Sequence, residues 1–398
     1  MIPPVKNKAC SVTAGRAAYS HFGLRPSFGL RPSAFGLRAS TPRHALRTPH
    51  SERAIALVIV MICIFVLTIL AGGFAYSMKV ETRLARNSSN ETELEWMGRS
   101  TVEYCRWVLA MSLLDPMKQY DSTDQPWATG YGFLGPTNAP IAEVQDPVRF
   151  PHGTAKWTIV DLESKININM ATEIVLQQTF MAMGVDAGQL TPLCNSILDW
   201  IDPDNDERVG GAETPYYAGL SPSYEAKNGP VDDLSELLLI KGITPDLYWG
   251  SAAASHQMGA ILPQLNRFGL PTQPPNYPFG LADIFTPLST GRVNWRTCSP
   301  YVFQAMGLDP VIAQNLVTYR SADNEDGTPA PLNIQDALLS AGVPRVAIPQ
   351  VAGSFADRSS TFQVTVDAEI NGYHRTFIAV LGRNNQRDVQ VLNFYWKD

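Results

Sequence analysis

The hydrophobic pattern of the chain changes several times, and each change marks a different kind of element. Residues 54–78, "AIALVIVMICIFVLTILAGGFAYSM", are 25 in succession without a charge. At ~1.5 Å per residue, a helix of that length reaches across a hydrocarbon core of roughly 30 Å. Apolar side chains occur all round it, whereas a helix on a soluble surface keeps a polar face. From Lys79 charges return, and Leu94, Met97, Val102, Cys105, Val108 and Leu109 recur at helical spacing to about Leu114. One long helix is expected, lipid-facing first and amphipathic afterwards.

Residues 115–155 are rich in Pro and Gly and read as loops with short strands. "KWTIVDLESKININMAT" follows as a β-rich run that turns into a helix. From about 170 to 350 the spacing is helical and a local pattern repeats. "LLLIKGITPDLY", "VFQAMGLDPVIA" and, more loosely, "MAMGVDAGQL" each place an apolar helix before Gly, an aliphatic residue, and a Thr or Asp. Gly permits the positive φ that closes one helix, and Thr or Asp can cap the next. Pro245 and Pro310 fall in a first helical turn, where a missing N–H costs little. These read as helix-hairpin-helix units.

"TFQVTVDAEINGYHRTFIAVLG" then alternates apolar and polar residues about Asn371-Gly372, a strong hairpin signal, and "DVQVLNFYWKD" adds a third strand. The expected fold class is α+β. A long N-terminal helix packs on an antiparallel sheet, with a large all-α helix-hairpin-helix (SAM-like) insert. The expected boundaries are a basic leader at 1–54, the transmembrane and amphipathic helix at 55–114, and the first part of the α+β body at 115–168. The helical insert follows at 169–350 and the closing strands at 351–398.

Charge gives this plan a direction. The net charge of −6 conceals nine Lys or Arg against Glu52 alone in residues 1–53, a balance of +8 that leaves −14 for the rest. A basic flank before the span puts the N-terminus in the cytoplasm and exports the acidic bulk. Within the leader, "FGLRPSFGLRPSAFGLRAS" repeats one unit three times without an apolar face, so it is expected to stay unfolded. Of five cysteines only Cys105, Cys194 and Cys298 follow the span, allowing at most one internal disulfide.

No GxSxG, HExxH or P-loop occurs, and His152, His256 and His374 are the only histidines after the span. No catalytic residue and no enzyme activity are expected. Helix-hairpin-helix units can grip nucleic acid, but phosphate binding needs positive potential and the exported part is acidic. A membrane-anchored DNA-uptake protein is the alternative reading.

One loop carries metal chemistry. In "DWIDPDNDERVGGAE", counting Asp202 as position one puts Asp204 at three, Asp206 at five and Glu213 at twelve. Those are the carboxylate positions of the calcium loop D-x-[DN]-x-[DN]-G-x₅-E. Val209 falls at position eight, where an apolar anchor suits such loops, while Glu207 stands in place of the sixth-position Gly. Gly210 and Gly211 are expected to take the bend. A structural Ca2+ on Asp202, Asp204, Asp206 and Glu213 is the expectation, with a weaker second cluster at Asp323, Glu325 and Asp326 in "DNEDG".

The ordered blocks "RAIALVIVMICIFVL", "ELEWMGRSTVEYCRWVL", "DLESKININMAT", "ILDWIDPDNDERVGGAETPYY" and "AKNGPVDDLSELLLIKGITPDLY", followed by the terminal strands, resemble one family. It is the general secretion pathway protein K family, the large minor pseudopilin of bacterial type II secretion. The resemblance covers roughly residues 51–398. It implies a structural role at the tip of a secretion pseudopilus and a single inner-membrane span with a periplasmic body. The implied partners are other minor pseudopilins, the major pseudopilin, the inner-membrane assembly platform, prepilin peptidase and exported substrates, with no nucleic acid. It also implies methylation and cleavage between Ala54 and Ile55, although the family's peptidase cuts after a Gly and Ala54 stands there. Ile59 occupies mature position five, where most pseudopilins carry Glu.

Overall fold

The structure, a computed structural model, describes residues 50–115, 119–136, 139–252, 277–321 and 333–397. The repetitive leader up to residue 49 and the cluster of Asp323, Glu325 and Asp326 lie outside the described residues. Contacts divide the chain into two units, residues 1–76 and 77–398. Helix α1 (His50–Met111) supplies the described part of the first unit and the opening of the second. From Ile55 to Tyr76 every side chain is exposed, and the helix is long and apolar enough to cross a membrane.

In the second unit α1 becomes amphipathic, and Leu94, Met97, Val102, Cys105, Val108 and Leu109 are all buried against a sheet. Gly98 sets how closely the two layers approach. A Cβ there would lie 2.5 Å from the Phe377 ring, so any larger residue would force α1 off the sheet.

Residues 115–155 hold the short helix α2 (Pro126–Thr129), a small hairpin of β1 (Phe133–Leu134) and β2 (Ala142–Glu143), and the edge strand β3 (Val148–Arg149). The long β4 (Gly153–Asp161) follows. Three minor strands come next, β5 (Ile166–Asn167), β6 (Phe285–Thr286) and β7 (Val293–Asn294), and then β8 (Phe355–Ala356). The chain closes with β9 (Thr361–Ile370), β10 (Tyr373–Asn385) and β11 (Asp388–Lys397).

The main sheet has the order β11-β10-β9-β4-β3 with every pair antiparallel. Alternation works as the sequence requires: Phe362, Val364, Val366, Ala368 and Ile370 of β9 enter the core beneath α1. Asn371 and Gly372, at φ 52° and 82°, make the two-residue hairpin between β9 and β10.

A second hydrophobic core is built by residues between β4 and β9. It gathers α3 (Glu173–Met183), α4 (Ala187–Ile201), α5 (Thr214–Ala218), α6 (Pro245–Trp249) and the helices Pro300–Ala305, Pro310–Ser321, Ile334–Ala341 and Ile348–Ala352. Gly184, Gly242 and Gly307 all take positive φ at the repeated turns. Asp186, Thr244 and Asp309 then accept N–H hydrogen bonds from the helix each one opens.

Two features correct the expectation of an all-α block. Within 169–350 its described residues include β6 and β7, which pair in parallel with β5 and β8 just outside those bounds. Ile166, Phe285, Val293 and Phe355 are buried there, so their backbone groups take ladder partners in place of water. The apolar helix expected before Gly242 is 3₁₀ over Leu234–Leu239, opened by an Asp233 and Glu236 capping box.

The chain leaves the sheet at Asp161 and returns beside it at Ser359, and a buried polar cluster closes that gap. Asp161 accepts hydrogen bonds from Ser359 Oγ (2.6 Å), Asn294 Nδ2 (3.2 Å), the Glu163 N–H (2.8 Å) and the Thr297 hydroxyl. Next to it, Arg383 of β10 pairs with Asp121 and donates to the Ser359 carbonyl (2.8 Å) and to Ser112 Oγ (3.1 Å). Both members of that ion pair have side chains 2% exposed.

Burial outweighs the hydrogen bonds at Asp161 and pushes its carboxyl up to about 6. Its folded pKa lies above the unfolded value, so its stabilising contribution is complete at acid pH and is lost as pH rises through about 6. Removing Arg383 would leave Asp121 charged and buried. Arg383→Ala should therefore cost ~3–5 kcal/mol, read as a lower urea midpoint for the full chain in detergent. A change below about 1 kcal/mol would mean that water reaches Asp121.

Candidate metal centre

Helix α4 ends at Ile201, and Asp202 is its C-cap. Asp199 lies in the last turn, where the helix dipole disfavours an anion and a compensating partner is needed. Asp199 is fully buried and acts as the anchor of the loop. It accepts the Ala212 N–H (2.9 Å), the Arg208 N–H (3.2 Å) and the Arg208 guanidinium (2.8 Å).

Gly210, at φ 79°, makes the bend that the missing sixth-position Gly would have made. Gly211 lets the chain pass Asp199, since a Cβ there would fall 2.0 Å from a carboxylate oxygen. Asn195 Nδ2 holds the Val209 carbonyl (2.9 Å), Lys241 Nζ holds the Gly211 carbonyl (2.7 Å), and Asn228 Nδ2 holds the Asp204 carbonyl (2.6 Å). The bend is thus fixed from three sides.

This scaffold brings together Asp202, Asp204 and Glu213, which can present one oxygen each within 4.8 Å of one another. Asp206 is not among them. It is exposed, and its N–H donates to Asp204 Oδ1 (2.9 Å), so the loop curls at Asp204 before Asp206 can turn inward. Val209 is no anchor either: it is 85% exposed, because its carbonyl, held by Asn195, is what ties that residue down.

Glu213 is the unusual member. It is 1% exposed, and neither of its carboxylate oxygens meets a hydrogen-bond donor; one oxygen of Asp202 is buried and unpartnered in the same way. Burial first, then the carboxylates of Asp199, Asp202 and Asp204, push the Glu213 carboxyl up to about 7. An all-oxygen donor set of this kind suits a hard cation such as calcium.

Sequence spacing missed Asp199 and Arg208. The signal for both was available: an acidic residue in a helix's last turn and a lone cation inside an acidic loop. Among the described residues, His152 pairs with Glu93 (2.7 Å) and His374 lies 3.8 Å from Glu369, both at the surface. Ala54 and Ile55, the expected processing position, fall within the first two turns of α1.

A family model described as type II secretion system (T2SS), protein K matches residues 158–250, the stretch that contains this loop. The putative type II secretion system protein K of Escherichia coli (strain K12) is 24% identical over 215 residues. That alignment covers 50% of this chain and 60% of the relative. Type II secretion system protein K of Klebsiella pneumoniae is 24% identical over 214 residues, with the same coverage. The chain thus spans 60% of the length of each of these two relatives.

Among solved structures, a chain of the GspK-GspI-GspJ complex from the enterotoxigenic Escherichia coli type 2 secretion system shares the fold. The TM-score is 0.58 at 18% identity, covering 79% of this chain and 99% of that one. A long apolar helix leading into an antiparallel sheet, a family model on the segment with the carboxylate loop and these relatives agree. The chain is thus similar to type II secretion system protein K, in sequence over this segment and in fold over most of its length.

Proposed function

We propose that this protein is a structural minor pseudopilin at the tip of a type II secretion pseudopilus, taking part in protein export across the outer membrane. The carrying observation is the apolar span of α1 running into an amphipathic half buried on a sheet, in a chain similar to this family. On this reading the basic N-terminus stays cytoplasmic and the acidic body is periplasmic. Cleavage before Ile55 and methylation would precede assembly.

The helix–Gly–helix turns are read as helix-hairpin-helix units used for packing, since their glycines close turns within a hydrophobic core. A block of that size between β4 and β9 is an obstacle to a subunit stacked on both sides, which favours a capping position. Ile59 also offers no carboxylate to a neighbouring N-terminal amine. The role is structural, not catalytic, and the comparisons offer no support for the DNA-uptake alternative.

A relative with this fold was solved in complex with GspI and GspJ, which supports other minor pseudopilins as partners here, with the major pseudopilin, assembly platform, prepilin peptidase and exported substrates as further ones. Co-expression with the minor pseudopilins of its own secretion system should give a complex that survives purification. A chain that elutes alone from such mixtures would oppose the assignment.

We further infer a structural calcium ion on Asp202, Asp204 and Glu213, with Glu213 closing the shell. The ion would cancel carboxylate repulsion and pin the α4–α5 loop, and exported compartments supply enough calcium to fill weak sites. Proton linkage gives this reading a sign. Without the ion, protonated Glu213 is the stable form, so its contribution is lost as pH rises through about 7. The raised pKa corresponds to a loss on the order of 3 kcal/mol at alkaline pH, and calcium should restore it. Calcium is thus expected to raise the melting temperature more at pH 8 than at pH 6, and Asp204→Ala to abolish the rise. Identical melting curves in calcium and in chelator would make the loop merely acidic.

A further inference from the structure

The loop that gathers the carboxylates also contains a cation of its own. The Arg208 guanidinium donates to Asp199 at 2.8 Å and to Asp202 through the same nitrogen. Asp199 has no freedom to exchange partners, because it is fully buried and also holds the Ala212 and Arg208 N–H groups. Asp202 is different. One of its oxygens is on Arg208, and the other is buried without a hydrogen-bond partner. It is also one of the three groups whose oxygens converge with those of Asp204 and Glu213. Two cations therefore have a claim on Asp202.

Arg208 neutralises only one side of the cluster. Glu213, 1% exposed, receives no hydrogen bond from it or from any other described group. A buried carboxylate with both oxygens unmatched calls for a second positive charge. A divalent ion placed among Asp202, Asp204 and Glu213 would stand next to the guanidinium, and like charges at such separations repel strongly where water is partly excluded. Arg208 has a way out, since its side chain is 40% exposed.

We propose that Arg208 is a tethered competitor for the divalent cation: it bridges Asp199 to Asp202 in the ion-free loop and must release Asp202 when the ion binds. This inference rests on the calcium reading above and adds the element that sets affinity. The ion-free loop keeps its fold because the guanidinium offsets part of the repulsion. The ion-bound loop gains a freed surface cation beside α4. The work of displacing Arg208 weakens the site, so it fills only where calcium is plentiful.

The test is calcium titration calorimetry on the full chain in detergent, comparing wild type, Arg208→Gln and Arg208→Lys. Arg208→Gln removes the charge and keeps a side chain of useful length. It should bind calcium at least about tenfold more tightly than wild type and melt at a lower temperature in chelator. Arg208→Lys keeps the charge and should bind within about threefold of wild type. If Arg208→Gln does not hold its fold without calcium, chelator titration of the calcium-loaded variant gives the same constant. Unchanged or weaker binding by Arg208→Gln, with wild type binding normally, overturns the competitor. Absence of binding by both would instead overturn the calcium reading on which it rests.

Discussion

The architecture depends on one buried polar junction. An insertion into a sheet is tolerable only if the chain leaves and returns at one place, and here β4 ends at Asp161 opposite Phe362 of β9. The hydrogen bond between Ser359 and Asp161 closes a separation of 198 residues. Closing so long a loop is entropically unfavourable, though the cost grows only slowly with length. Asn294 and Thr297 tie the helical block to the same carboxylate, while Arg383 and Asp121 tie the sheet to the end of α1. Each apolar core is non-directional. The junction's hydrogen bonds have definite geometry, and they fix where one core begins relative to the other.

The carboxylate loop follows a related logic with the opposite outcome. At the junction every buried charge has partners, and the arrangement is self-sufficient. In the loop, Asp199 is satisfied by backbone N–H groups and Arg208, whereas Glu213 is buried without either. A carboxylate left in that state is suited to a positive charge supplied from outside the chain. That is the physical basis of the calcium proposal, and it explains why a Glu twelve positions along the loop carries the argument better than the count of aspartates.

Much of this was legible from local pattern. Six apolar positions of α1 fixed its buried face, Asn371-Gly372 fixed the hairpin, and the glycines at 184, 242 and 307 fixed three turns. Those signals are carried by neighbours within a few residues of each other. The junction was not legible, because Asp121, Asp161, Asn294, Ser359 and Arg383 are scattered along the chain and no short window contains two of these five. The parallel pairs β5·β6 and β7·β8 were missed for the same reason, being two residues long and paired across more than fifty positions. In the carboxylate loop, spacing alone grouped Asp206 and Val209 with the interior, whereas both are exposed, the Asp206 N–H bonding to Asp204 and the Val209 carbonyl to Asn195.

The function proposed for the chain joins these parts. On that proposal an apolar α1 would anchor it, a sheet carries its amphipathic half, and a large block held at one junction would make the body unsuited to repeat along a fibre. The decisive measurement is electron microscopy of assembled pseudopili in which this subunit carries a gold label on its folded body, residues 77–398. A terminal cap gives label at one end of each fibre and nowhere else. Label distributed along the fibre length would contradict the account.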